Sequence, residues 1–434
     1  MTPSAASPAT QATDVGGTAE AGYKRASSLR RYLLWLLPAN VAMCATYQGI
    51  QQILIPGQVA AIDPVLKVRS LGLITTIAAI TSVIGLVAGG VVSDRTTGRW
   101  GRRAPSLAFG AAASAVLMAA MSVAQSLLAL AWLFAALWFV ASFYQGALTA
   151  TLIDRVPPER RGLGSSIMAS GFPLGILAGV NFAARSPRMV GYAGLATAFV
   201  LATAGLLLFA PEPPAPRAAR AGNRRSPALR LFAVGLLRFL ESFRSRNFTL
   251  AFVARALMFF AIFNVTGYTY YILQDHIGAA HLPGHDVQGA VAILISIQMI
   301  GCALSTAACG WLVDRWQRPK LFVAVSSIGV AGALFIPVLN PSWAGMVELQ
   351  LWSGLFFGAY LAVDLALMTL VVPDHASGGR DMAILAVATG APQILSPALS
   401  AAIIGQFGYQ AVFLLGTLMA LGAGVTIFFV KAIR

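Results

Sequence analysis

The sequence predicts an all-α integral membrane protein, with twelve transmembrane helices arranged as two pseudo-symmetric six-helix bundles. Three observations predict it. Of 434 residues, 58% are hydrophobic and only 10% are charged, against about 25% charged in a typical soluble domain. The apolar residues form twelve long runs, each near the ~20 residues a helix needs to cross the hydrocarbon core. They do not alternate with polar residues as barrel strands do. Finally, the second half of the chain repeats features of the first at a fixed offset.

Residues 1–31 are rich in Ala, Thr, Ser, Pro and Gly and end in Lys24, Arg25, Arg30 and Arg31. They hold no short apolar core with a small-residue cleavage site, so they read as a disordered cytoplasmic tail and not as a signal peptide. Segments 1 to 6 lie near 32–60, 70–92, 106–124, 127–152, 163–184 and 191–210, giving an N-terminal bundle over 32–210. Residues 211–247 open with Pro211-Glu212-Pro213-Pro214, carry eight arginines and read as a basic cytoplasmic loop. Segments 7 to 12 lie near 248–273, 288–312, 321–339, 344–372, 382–405 and 410–431, giving a C-terminal bundle over 248–434.

A net charge of +15 in a soluble chain would suggest nucleic acid. Here 25 of the 30 Lys and Arg fall on one side of a twelve-crossing path. Cytoplasmic loops hold such an excess, so topology accounts for the charge and no nucleic-acid partner is expected. Both termini are expected in the cytoplasm. Cys44, Cys302 and Cys309 lie inside apolar runs without framework spacing, which argues against disulfides and a zinc site.

The repeat has an offset of 220 residues. Gly90, Asp94 and Arg95 at the end of segment 2 match Gly310, Asp314 and Arg315 at the end of segment 8. Asp154 matches Asp374, and Arg160 matches Arg380. Two packed repeats leave a cleft near the bilayer midplane that can open to either side in turn.

The stretch Gly90-Val-Val-Ser-Asp94-Arg95-Thr-Thr-Gly98-Arg99-Trp-Gly101-Arg102-Arg103 resembles the signature that follows helix 2 in the major facilitator superfamily. Leu152-Ile-Asp154-Arg155-Val-Pro157-Pro158 resembles that superfamily's loop after helix 4. The resemblance covers the chain from about residue 32 to its end. It implies the major facilitator fold, secondary transport of a small molecule by alternating access, a monomer, and a multi-pass place in the plasma (inner) membrane. It also implies that Gly90, Asp94, Arg95, Gly98, Arg99, Arg102, Arg103, Asp154, Arg155, Gly310, Asp314 and Arg315 form a cytoplasmic gate that latches the halves in the outward-facing state. In this reading Gly90 lets a neighbouring helix approach closely. Ser93-Asp94-Arg95-Thr96, Arg99-Trp100-Gly101-Arg102-Arg103 and Pro392-Gln393 look like the glycoside–pentoside–hexuronide and sucrose:cation symporter branch. Two departures stand against closer matches. No arginine precedes Gln145-Gly146 as in many drug/proton antiporters, and segments 1 to 6 lack an acidic cation ligand.

Charges inside spanning segments are costly and usually functional. Asp364 in segment 10 and Arg255 in segment 7 are the coupling candidates, with Asp364 carrying a proton or pairing with Arg255. Asn40, Tyr47, Gln51 and Gln58 step by 7, 4 and 7 along segment 1, with Gln48 and Gln52 beside them. Asn264, Tyr268, Tyr271 and Asp275 step by 4, 3 and 4 along segment 7. Each set shares one helix face. From these stripes Tyr47, Gln48, Gln51, Asn264, Tyr268 and Tyr271 are expected to line the cleft, together with Gln145 and Gln393 from other segments; Asn181, Gln298 and Tyr360 follow. Amides and phenols offer neutral hydrogen bonds and flat apolar faces, which suits a neutral sugar-like solute. The same side chains can also bond helix to helix.

Proton-driven export of drugs or metabolites is the competing transport reading, and a membrane-embedded enzyme is a remote one. No metal site is expected, although His276, His281 and His285 share a loop with Asp286. No nucleotide, zinc-protease or hydrolase motif appears. No cofactor is expected beyond a co-transported proton or other cation, with lipids and a small-molecule substrate as partners.

Overall fold

The computed structural model describes residues 8–96, 100–212, 243, 245–316, 318–371 and 378–430. Among them are twelve helices long and apolar enough to cross a membrane. α1 runs Pro8–Gly49, passes through a π-helical turn at Ile50–Leu54 and ends as Ile55–Ile62. Then follow α2 (Lys67–Arg95), α3 (Ala104–Val123), α4 (Leu127–Arg155), α5 (Arg161–Arg185) and α6 (Arg188–Phe209). α7 (Arg246–Thr266) continues as Thr269–Tyr271 and a second π-helical stretch, Ile272–Gly278. α8 (Val287–Trp316), α9 (Pro319–Leu339), α10 (Trp343–Val371), α11 (Gly378–Phe407) and α12 (Tyr409–Phe428) complete the chain.

The expected fold class holds. One boundary differs: α1 already begins at Pro8, inside the segment expected to be a disordered tail. That stretch has no proline between Pro8 and Pro38 and is rich in Ala, so nothing in its backbone chemistry stops a helix.

Lipid tails are as apolar as leucine, so helices in a bilayer associate through close packing of small residues. Gly85 and Gly89 on α2 sit against the carbonyls of Phe139 and Phe143 on α4, leaving no room for a Cβ. Gly175 and Gly179 on α5 pack as tightly on Cys44 and Ala45 of α1, and Gly354 and Gly358 on α10 on Gln298 and Cys302 of α8. The pairings repeat across the halves: α1 with α5 and α6, α2 with α4, α3 with α6; then α7 with α11 and α12, α8 with α10, α9 with α12. The two largest contacts between the bundles are α2 on α11 and α5 on α8, which exchange under the same pseudo-symmetry; the far-side part of α1 also touches α8 and the continuation of α7. After twelve crossings both chain ends lie on one side, called the near face; the opposite side is the far face.

Candidate functional site

Between the bundles lies a cavity of about 960 Å³, counting its open side. Its polar wall is amide: Gln48, Gln51 and Gln52 from α1, Gln298 from α8, Gln350 from α10 and Gln393 from α11. Phe172, Phe263 and Phe357 add three aromatic rings, and Ile176, Ile262, Ile295 and Met299 aliphatic surface. Among the described residues no charged side chain lines it. A smaller pocket shares Gln51, Gln393 and Pro397 and reaches Phe134 and Trp138.

The π-helical turn explains how three glutamines of α1 reach one cavity. A π-turn admits an extra residue and re-aims the face beyond it. Gln58, expected on the same stripe, is therefore turned inward and is 2% exposed. It donates to the carbonyls of Met121 and Ala124 at the end of α3, 2.9 Å each, and accepts from the Tyr192 hydroxyl at 3.0 Å.

Gln48, Gln51 and Gln393 of the expected cleft set stand in the cavity wall. The others have different surroundings. Asn264 donates to the Val412 carbonyl at 2.8 Å and accepts from Ser400, binding α7 to α12 and α11. Tyr268 donates to the Pro397 carbonyl at 2.7 Å. Tyr271 donates to the Pro56 carbonyl at 3.1 Å, across the bundle boundary. Tyr47 packs its ring on Trp138 with centroids 4.9 Å apart. Gln145 is exposed on α4, outside that wall. Asn264, Tyr268 and Tyr271 serve helix contacts because a polar group in hydrocarbon takes the nearest carbonyl. Sequence reasoning missed Gln350 and the phenylalanines. An amide inside an apolar run was the available signal for Gln350.

The far side of the cavity is closed. Lys67 Nζ bridges from α2 to Asp275 Oδ1 at 2.7 Å and Gln274 Oε1 at 3.1 Å, and lies 5.2 Å over the Tyr271 ring. Tyr409 donates to the other oxygen of Asp275 at 2.7 Å. Asn181 donates to Ser296 Oγ at 2.9 Å, from α5 to α8. Among the described residues every hydrogen bond between the bundles is of this far-side group. Toward the near face Phe172 is 52% exposed and Gln393 is exposed.

The signature residues bond within the N-terminal bundle. Arg103, 4% exposed, meets Asp94 at 2.5 Å, Asp154 at 3.0 Å and Ser93 Oγ at 2.5 Å, tying α2 to α4. Arg102 adds a second contact to Asp94 at 2.8 Å. Glu212 accepts from the Arg103 and Ala104 N–H groups at 2.6 and 3.1 Å, a carboxylate at the positive end of α3. Gly101 has φ +93°, and a Cβ there would strike Glu212. Arg155 donates to the Ala210 and Pro211 carbonyls at 2.7 and 3.2 Å and stands over the Tyr32 ring. Among the described residues, these signature side chains make no contact with the C-terminal bundle. Nothing lies within 4 Å of where a Gly90 Cβ would be, while Gly89 packs on Phe143 and Gly146 of α4 comes against the Gly90 backbone. Gly310 is equally open, and Arg315 lies 5.9 Å over the Trp311 ring. Gly98, Arg99, Asp374 and the side chains of Arg95, Asp314 and Arg380 fall outside the described residues.

Arg255 and Asp364 meet. Arg255 Nη1 is 2.9 Å from Asp364 Oδ2, its Nε donates to Thr389 Oγ1 at 3.1 Å, and its guanidinium lies 5.4 Å from the Phe259 ring centre. The second oxygen, Asp364 Oδ1, is buried with no hydrogen-bond partner among the described residues. Phe357, Tyr360 and Asp364 follow one face of α10. Phe357 lines the cavity and stacks on Tyr360 with centroids 6.1 Å apart, so packed side chains run from the cavity to the ion pair.

The sequence pattern of the Major Facilitator Superfamily matches residues 36–378 and 285–433. The "Niacin transporter NiaP" of Acinetobacter baylyi is 30% identical over 131 residues, 30% of this chain and 29% of that protein's length. Among solved structures, a mutant form of the nucleoside transporter NupG is similar with a TM-score of 0.70 and 15% identity, covering 92% of this chain and 100% of that one. A bacterial homologue of the human lysosomal transporter Spinster, in an inward-facing and unoccupied conformation, is similar with a TM-score of 0.59 and 14% identity, covering 94% of each. With the family pattern spanning most of twelve crossing helices, this chain belongs to the Major Facilitator Superfamily and is a membrane transporter, not an enzyme.

Proposed function

We propose that the chain carries a small, neutral, hydrogen-bonding solute with a sugar or flat ring, by alternating access coupled to a proton. The observation that carries this reading is the cavity wall of six glutamines and three phenylalanines with no charged side chain among the described residues. A charged solute there would lose its hydration without gaining a counter-charge. A neutral one exchanges water for amide hydrogen bonds and stacks on the rings. Sugars, glycosides and nucleosides share that chemistry. The likeness to a nucleoside transporter supports the same choice of solute.

With the basic near face in the cytoplasm, far-side closure by Lys67–Asp275, Tyr271–Pro56 and Asn181–Ser296 makes this the inward-facing state. Solute binding at α1, α8, α10 and α11 draws the halves together, the far-side bonds part, and the signature loop becomes free to meet the other half. Asp364, beside Arg255, takes and gives up the coupled proton. Export of an amphipathic drug or metabolite is the alternative, favoured by the aliphatic part of the wall.

Proteoliposomes under an imposed pH gradient test both. Radiolabelled nucleosides and sugars, and fluorescent drugs, serve as solutes, with Asp364→Asn as control. Accumulation of a neutral solute that follows the proton gradient and is lost in the variant is the expected result. Drug extrusion without sugar or nucleoside uptake would replace it with the export reading. Well-folded protein that moves none of them would overturn the solute assignment.

A further inference from the structure

A second large recess lies outside the central cavity, between the near ends of α1 and α5. It measures about 960 Å³ counting its open side and is lined by Leu29, Leu33, Leu34, Leu37, Leu163 and Ile167, with Arg30 and Arg160 at its rim. Leu34 and Leu163 are 63% and 54% exposed. Both arginine side chains are exposed and make no side-chain contact among the described residues. They sit at the near ends of α1 and α5, while Leu33, Leu34, Leu37, Leu163 and Ile167 lie about one to two turns further along the helices.

We propose that this groove binds one anionic phospholipid, its phosphate between Arg30 and Arg160 and one acyl chain along the leucines. The proposal is independent of the transported solute. Charge complementarity selects the occupant: two unpaired guanidinium groups stand at headgroup level above an apolar channel, and phosphate is the anion a guanidinium fork fits best. A peptide strand in the channel would leave backbone N–H and C=O groups unpaired in hydrocarbon. A neutral lipid gains nothing from the groove, because bilayer hydrocarbon is already as apolar as leucine. Selection therefore rests on headgroup charge alone, at roughly fivefold per arginine.

Native mass spectrometry of the full chain, titrated with phosphatidylglycerol or phosphatidylcholine, tests this. One phosphatidylglycerol is expected to be retained per protein and phosphatidylcholine is not. Arg30→Gln with Arg160→Gln should weaken phosphatidylglycerol by roughly 30-fold, while Arg69→Gln on the far face leaves it unchanged. Both rim arginines are exposed, so the double variant should keep the wild-type melting temperature, which is checked on the same samples. Equal retention of the two lipids would overturn the proposal, as would undiminished phosphatidylglycerol binding by the folded double variant. A benzophenone at position 34 should cross-link to lipid; cross-links to residues 1–7 or 213–242 instead would give the groove to the chain itself and overturn it too.

Discussion

Asp364→Asn removes a charge from the ion pair that joins α7 to α10 while keeping the side chain's shape. Asp364 is 5% exposed and the Arg255 side chain 17%, so the pair is well shielded from water. After the substitution Arg255 keeps the Thr389 hydroxyl and the Phe259 ring but no counter-charge. Breaking a buried pair from one side costs about 3–5 kcal/mol, most of it the uncompensated charge. Arg255→Met alone should cost as much, leaving Asp364 stranded. The two changes together remove both charges and should return stability to within about 1 kcal/mol of wild type, since buried pairs and apolar replacements often balance. Denaturant titration in micelles measures all four proteins as a cycle. A single variant as stable as wild type would refute the ion-pair argument. Transport separates scaffold from coupling: the stable double variant should still exchange solute down its gradient but should no longer accumulate it against one. Wild-type accumulation by that variant would refute the coupling role of Asp364.

Gly89→Ala should cost about 1–3 kcal/mol, because its Cβ would meet the Phe143 carbonyl and overpacking is expensive; Gly90→Ala, with nothing within 4 Å, should stay within about 0.5 kcal/mol, as thermal unfolding can show. Lys67→Gln removes a partly exposed pair worth up to about 1 kcal/mol, so the far-side-open population should rise by up to about fivefold, read from distances between spin labels at Val65 and Ala280. Gln51→Leu and Gln393→Leu should each raise the KM for the transported solute by about 2- to 10-fold, the loss of one hydrogen bond, whereas Asn264→Leu should lower stability through Val412 and Ser400 before it changes KM.

Charge placement and repeat spacing made the twelve crossings legible, because each crossing flips the side on which the next loop's arginines lie. The site was legible only in part. Helical spacing says which residues share a face, but not what that face meets. Asn264 and Tyr268 share a stripe by spacing, yet the neighbours waiting there are the carbonyls of Val412 and Pro397. Gln58 failed for a different reason: the π-turn at Ile50–Leu54 breaks the 3.6-residue period on which the stripe rested. Gln298 was among the candidates; Gln350 was not, because only what α1 and α11 bring opposite it makes it part of the cavity wall. The Lys67–Asp275 contact joins two halves of the chain, and no local pattern registers that distance.

The two wide turns carry a historical implication. Shifting Ile50–Leu54 by the repeat offset of 220 gives 270–274, which overlaps Ile272–Gly278. Each lies in the first helix of its bundle, toward the far face; beyond the first the helix continues as Ile55–Ile62, whereas the second ends at Gly278, whose φ is +87°. An irregularity found at matching places in both copies is most simply inherited from the single ancestral bundle, before duplication. The descendants then put it to unlike use: one copy now aims glutamines at the central cavity, while the other carries the aspartate that Lys67 and Tyr409 hold on the far side.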